Sequence, residues 1–341
     1  MKAFSKKMFE CVHDISETPL AKRTMVGVEY KYWIKYKGSD YLYKQDDRNQ
    51  LGFFELLCSH LAQKVGFDCV NCYPANDGYG NGVIVESYLS SDVVRTISLL
   101  DILDNYNFKS ATQYARMGKG CWFSIDEFFK NKAVLEKEGI YFAPNLREKF
   151  EQMVLVDYLL AQMDRHELNV EFLLSVDKFT GKKILSLAPM YDNGRILGAT
   201  RFNFLATPQE ISQDMHPQLT IKFHDLNSGK SEIDCVAQTL AQQIVQKPYL
   251  AQIYNKFKNL DFMKEVQQVA KTSGYELSEK QLLVIERVFN DRINYIEQNL
   301  QKIDQNSKKQ TKFAKKSSFE PDFETHDMPN TKKQEDYEIT L

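Results

Sequence analysis

The hydrophobic pattern changes character near residue 90. Before it, short runs rich in aromatic and β-branched residues read as strands. Tyr30-Lys-Tyr-Trp-Ile-Lys-Tyr36 and Tyr41-Leu-Tyr-Lys44 predict two strands around a turn at Lys37-Gly-Ser-Asp40. Cys69–Pro74 and Gly82–Leu89 predict two more, parted by the turn-rich Ala75-Asn-Asp-Gly-Tyr-Gly-Asn-Gly82. Between the pairs, Phe54, Leu57, Leu61 and Val65 recur at helical spacing from about Gly52, and Gly66 closes the helix. After Ser90 helical spacing dominates, over Val93–Tyr106, Ser124–Lys137 and Asn145–Met163. It returns near Glu232–Gln246, Tyr249–Asn259, Asp261–Thr272 and Ser278–Gln301. The helix at 145–163 is apolar around most of its girth, which places it in an interior. Val170–Val176 and Lys183–Leu187 predict a hairpin turned by Asp177-Lys-Phe-Thr-Gly181.

A strand-rich segment followed by a helical one predicts an α+β, bilobed fold: a small antiparallel-sheet lobe over residues 1–89 and a larger helical lobe over 90–304. From about Gln305 the periodicity fades into lysine-rich and then acidic stretches, and residues 305–341 are expected to be a disordered tail.

Composition removes several classes of function. A formal net charge of −2 over 341 residues gives no global attraction to nucleic acid or to an anionic membrane. No apolar run approaches the ~18 residues that span a bilayer, and Met1-Lys-Ala-Phe-Ser-Lys-Lys7 lacks the apolar core of a signal peptide. A cytoplasmic start is expected, with secretion or translocation as an effector compatible with it. Cys69-Val-Asn-Cys72 has metal-knuckle spacing, but no second pair follows it, so reduced, partly buried thiols are the expectation.

The polar residues that remain assemble into one chemistry. Phosphoryl transfer from ATP needs a cation on the phosphates, oxygen ligands for magnesium, and a carboxylate near the attacking hydroxyl. Asp164 and Asn169 follow the buried helix and precede a strand, at the spacing of a protein-kinase catalytic loop. Alone, the pair also reads as a helix cap and a turn residue. Asp192, in Ala188-Pro-Met-Tyr-Asp-Asn-Gly194, leaves the far end of the hairpin and can fold back beside Asn169 as a second oxygen ligand. Lys44 ends a strand, and Glu55 lies eleven positions later on the helix, as a phosphate-aiming pair requires; Lys31 and Lys35 are the competing lysines. Gly27, just before the first strand, lets backbone amides approach phosphate, and Glu86 to Tyr88 end the strand-rich part where an adenine-binding hinge belongs. His166 has no His or Cys at ligand spacing and is expected to hydrogen-bond within its own loop.

Two of these segments carry a resemblance. Leu155-Val-Asp-Tyr-Leu-Leu-Ala-Gln-Met-Asp-Arg-His-Glu-Leu-Asn169 and Leu187-Ala-Pro-Met-Tyr-Asp-Asn-Gly194 are similar to the catalytic segments of the HipA-like serine/threonine kinases. Gly27-Val-Glu-Tyr-Lys31 resembles that family's phosphate-loop segment, so the likeness covers about residues 24–200. The short preamble before the loop resembles short members of CtkA or HipT type, which lack the N-terminal HipA subdomain. The resemblance implies Asp164 as catalytic base, Asn169 and Asp192 as Mg2+ ligands, and Lys44 on the ATP phosphates. The family's regulatory serine is Val26 here, which leaves Ser16, Thr18 or Thr24 for autophosphorylation. It further implies a protein substrate and, for toxin or effector members, an antitoxin or host protein as partner. Two alternatives accompany this reading: a small-molecule or lipid kinase using the same parts, and a catalytically silent pseudokinase that only binds.

Overall fold

The computed structural model describes residues 12–20, 30–46, 50–90, 92–106, 123–201, 206–214, 221–222 and 232–317. The chain falls into two units, Met1–Leu300 and Gln301–Leu341. Gly27 and Thr24 lie outside the described residues.

The first sheet has five strands in the order β1-β4-β5-β3-β2: β1 (His13–Asp14), β2 (Lys31–Tyr36), β3 (Ser39–Gln45), β4 (Cys72–Asn76) and β5 (Asn81–Glu86). All pairings are antiparallel except β1 with β4. The β2–β3 turn is tighter than the sequence predicts. Lys37 and Gly38 both take positive φ (49° and 83°), the geometry of a two-residue hairpin turn that matches the twist of its strands. Side chains alternate across the sheet. Ile34, Tyr41, Tyr43, Tyr73 and Ile84 pack together on one face. Lys44, one step on from Tyr43, therefore points to the other, where helix α1 (Leu51–Val65) lies.

The helical part holds a second sheet of four strands, in the order β6-β9-β10-β8: β6 (Val93–Ser98), β8 (Ile140–Phe142), β9 (Glu171–Val176) and β10 (Lys183–Leu187). β9 and β10 form the expected hairpin, antiparallel from Lys183 opposite Val176 to Leu187 opposite Phe172. The helix predicted over Val93–Tyr106 is instead strand β6 followed by α2 (Leu99–Asn105). Val93-Val-Arg-Thr-Ile97 is β-branched enough to add an edge to β9, and Ser98 starts the helix with a reciprocal capping box to Asp101. The helix expected at 124–137 breaks at Asn131 into α3 (Ile125–Lys130) and α4 (Lys132–Lys137). Strand β7 (Phe123–Ser124), just before α3, pairs in parallel with β11 (Ile221–Lys222).

Helix α5 (Leu146–Leu159) is buried along its length, with Phe150, Leu155, Val156 and Leu159 fully enclosed. It stops four residues short of the expected Met163, because Ala161 turns into the left-handed region at φ 47° and throws the following loop clear of the helix axis. Helices α6 (Pro208–Asp214), α7 (Glu232–Gln246), α8 (Pro248–Lys258), α9 (Phe262–Ser273) and α10 (Glu279–Ser317) follow. The last overruns its expected end at Gln301. In that stretch Lys308 pairs with Asp304 at 2.6 Å, one helical turn away, and the Ser307 hydroxyl donates to the Ile303 carbonyl. No helix among the described residues is long and apolar enough to cross a membrane.

Candidate active site

Strand β3, helix α1 and the loop after β10 deliver three charges to one point. The Lys44 ammonium lies 2.6 Å from a Glu55 carboxylate oxygen and 2.8 Å from Asp192 Oδ1. Lys44 and Glu55 are 11% and 3% exposed, whereas Asp192 keeps 31% of its side chain open. Burial alone would lower the Lys44 pKa, but the two carboxylates more than reverse this and hold it above its ordinary value. For Asp192 burial would raise the pKa, and the Lys44 ammonium brings it below the usual carboxylate range. Lys44 and Asp192 are therefore both charged at neutral pH. Lys31, opposite Lys44 in register, also adds its positive charge to the field at Asp192, while Lys35 is exposed.

The second Glu55 oxygen accepts from the Asn193 backbone N–H at 3.0 Å, so one carboxylate holds both the lysine and the loop. Asp192 itself sits at φ 55°, strained for a residue with a side chain. The next glycine lets the loop come this near α1. A Cβ on Gly194 would stand 3.2 Å from Leu51 Cβ and 3.3 Å from the Leu51 carbonyl. On its other side, Met190 donates to Asp68 and accepts from Val70, which ties the loop to the segment before β4.

A difference in stability between wild type and Asp192→Asn is expected to follow this electrostatics. A carboxylate with a depressed pKa contributes above its unfolded value of 3.8 and loses that contribution as pH falls through its lower folded value. The gap in urea midpoint is therefore constant from about pH 5 upward and closes in stronger acid. A gap that widened as pH dropped would contradict the charged state of Asp192.

Gln162 is one link between the loop 162–169 and this cluster. Gln162 donates to the Asp192 carbonyl at 3.2 Å and accepts from the Asp164 backbone N–H at 3.0 Å. The Gln162 carboxamide thus bridges the backbones of Asp164 and Asp192, 28 positions apart in sequence. Asn169 donates its side-chain amide N–H to the Asp164 carbonyl at 2.8 Å. His166 accepts from the Leu168 N–H at 3.2 Å, a contact within its own loop as expected. The Asp164 carboxylate is a quarter exposed, and Arg195 approaches it at 3.6 Å.

Beneath the loop lies a residue that the sequence reading passed over. Arg165 is 1% exposed and forks onto both oxygens of the equally buried Asp157 in α5, at 3.0 and 3.2 Å. It also donates to the carbonyls of Asn169 and Tyr191 and to the Asn193 side chain, at 3.0, 2.8 and 2.7 Å. One guanidinium therefore fastens the interior helix, the 164–169 loop and the 191–193 loop together. The signal was present: Asp157 stands in Leu155-Val-Asp-Tyr-Leu159, and a charge inside so apolar a helix needs a partner.

The remaining candidates lie around this centre. The Glu86 carboxylate accepts from Asn71 at 2.9 Å, and its backbone N–H is bonded to the Asn71 carbonyl. The Tyr88 hydroxyl donates to Glu171, and its ring lies 5.9 Å from that of Tyr191. Ser16 and Thr18 sit in the turn after β1, where the Ser16 hydroxyl donates to Asp14 at 2.7 Å. Cys69 and Cys72 lie beside Cys58 of α1. Hydrogen bonding to Cys58 and burial push the Cys69 thiol up, and burial does the same to Cys72, so both stay protonated and poor ligands.

No family model and no curated protein sequence matches the chain. Solved structures do. The Helicobacter pylori proinflammatory kinase CtkA matches with a TM-score of 0.51 at 13% identity, over 85% of this chain and 98% of that one. HipA of the Shewanella oneidensis MR-1 toxin–antitoxin system, in complex with HipB and operator DNA, matches with a TM-score of 0.46 at 13% identity, over 82% of this chain and 66% of that one. At such identities the likeness to CtkA concerns the fold, a sheet-built N-terminal lobe joined to a helical C-terminal lobe.

Proposed function

We propose that this chain, whose fold is similar to that of the kinase CtkA, is a HipA-like, ATP-dependent serine/threonine protein kinase that also phosphorylates itself. The observation that carries this reading is the meeting of Lys44, Glu55 and Asp192 within 2.8 Å. Enclosing three charges from three distant segments is costly in desolvation. The cost is understandable where an ammonium must be aimed at phosphate and a carboxylate kept ionised for a metal.

Each residue then has a task. Lys44, held by Glu55, donates to the ATP phosphates. Gly27 approaches them through its backbone, and the segment from Glu86 to Tyr88 meets the adenine. Asp164 accepts, or at least orients, the proton of the acceptor hydroxyl. One carboxylate (Asp192) and one amide oxygen (Asn169) make a hard donor set that fits Mg2+, which would supply charge neutralisation on the phosphates when bound. Arg165 keeps both loops in register without touching the nucleotide. Ser16, Thr18 and Thr24 are the candidate autophosphorylation sites.

Incubating the purified chain with γ-labelled ATP and MgCl2, alone and with casein, is expected to label the chain itself and to yield phosphoserine or phosphothreonine. Label that reaches only a small molecule or lipid, or no acceptor in a cell extract, would sink the proposal.

A further inference from the structure

A helix carrying one half of a catalytic ion pair can break that pair by moving only a few ångströms. Helix α1 is buried on nearly all sides, and the side away from the sheet is bolted to residues 256–281. At its amino end Gln50 is held at φ 54°, a left-handed conformation that is strained for a non-glycine residue. What holds it comes from beyond α9: the Gln50 side chain donates to the Glu276 carbonyl at 3.2 Å and accepts from the Gln281 amide at 3.1 Å. Tyr275 lies directly over Gly52, where a Cβ would stand 2.7 Å from its hydroxyl. Near the middle, His60 meets Glu265 of α9 at 2.5 Å, and Lys64 reaches the same carboxylate at 3.3 Å. At the carboxyl end Lys256 of α8 donates to the Val65 carbonyl at 2.8 Å. The anchors thus run the whole length of a 15-residue helix, about 22 Å.

We infer that residues 256–281 are a brace that positions α1, and through it Glu55 against Lys44, with Glu265 and Tyr275 as positioning residues for phosphoryl transfer. The inference rests on the kinase reading above. In its terms, the chain supplies from its own C-terminal helices the support that holds the glutamate-bearing helix in its working place. Each of the three anchor points, at the amino end, the middle and the carboxyl end, includes a side-chain contact that can be removed without touching Lys44, Glu55, Asp164 or Asp192.

The test uses the full chain and two kinds of reading. In Glu265→Ala, amide hydrogen exchange across residues 51–65 is expected to rise at least about tenfold, while residues 146–159 exchange as in wild type. With casein as acceptor, kcat is expected to fall about tenfold with KM for casein unchanged. Glu265→Gln, which keeps an oxygen facing His60, recovers most of that rate. Lys256→Met removes only the carboxyl-end anchor and gives the same pattern more weakly, should Glu265→Ala fold poorly. Wild-type exchange across 51–65 in both variants overturns the brace. A loosened helix with wild-type kcat, or a loss that Glu265→Gln does not recover, overturns the positioning role. A wild-type chain without phosphotransfer would count against the kinase reading instead, and the exchange data would still decide whether residues 256–281 hold α1.

Discussion

Asp192→Asn is expected to lower the rate of phosphoryl transfer about 10³-fold or more while the protein stays folded. The asparagine keeps the shape of the side chain and removes its negative charge, the property a divalent cation selects. The fold tolerates this because Lys44 keeps Glu55 at 2.6 Å, so no buried ammonium is stranded. Asp164→Asn is expected to cost a further kind of loss, about 10²–10⁴-fold in kcat with little change in nucleotide affinity, because the role proposed for its carboxylate is at the acceptor hydroxyl and not at ATP. Rates measured by γ-labelled ATP, with nucleotide affinity measured separately by calorimetry, distinguish the two. Wild-type turnover in Asp192→Asn would remove the metal assignment, and with it the reading of the whole cluster.

The largest effect on stability is expected at Arg165. Arg165→Met strips the partner from Asp157, which is 1% exposed, and frees two loop carbonyls at once. Breaking a buried pair from one side costs about 3–5 kcal/mol. That is a large part of the margin by which a domain of this size is folded. The double variant Arg165→Met with Asp157→Leu is expected to regain much of the stability, because no lone charge is left inside, yet to remain inactive since the two loops have lost their common anchor. Urea midpoints and phosphotransfer rates on the three proteins check both halves. Equal stability of the single and double variants would show that the pair is not coupled.

What could be read along the chain divides by range. The β9–β10 hairpin, α1, and α7 to α9 announced themselves, because their periodicity and stop signals are local. The turn at Lys37-Gly38 was visible as a turn, and its two-residue geometry was not. Strand β6 was misjudged as helix because Val93-Val-Arg-Thr-Ile97 sits directly before a real helix, and its strand character depends on having β9 to pair with. Lys44, Glu55 and Asp192 could be named by spacing and resemblance, but their approach to 2.6 and 2.8 Å depends on Gly194 and on the strained backbone of Asp192, which no periodicity reports. Arg165 was read only as a letter of a motif; that it looks inward follows from Ala161, whose left-handed turn ends α5 early. The extension of α10 was missed because charged, apolar-poor sequence can be helical through one-turn pairs such as Lys308 with Asp304.

Gln162 has a consequence for how this centre can change. Its side chain owns one hydrogen donor and one acceptor facing the two loops, and each is spoken for by a main-chain group of opposite sense. A glutamate there would set oxygen against the carbonyl of residue 192, and a leucine would strand an amide and a carbonyl together. Neither loop can drift alone, since a shift of one is felt at once as a stretched contact to the other. Whatever sequence variation the surroundings accept, these two stretches of backbone travel as a single rigid piece.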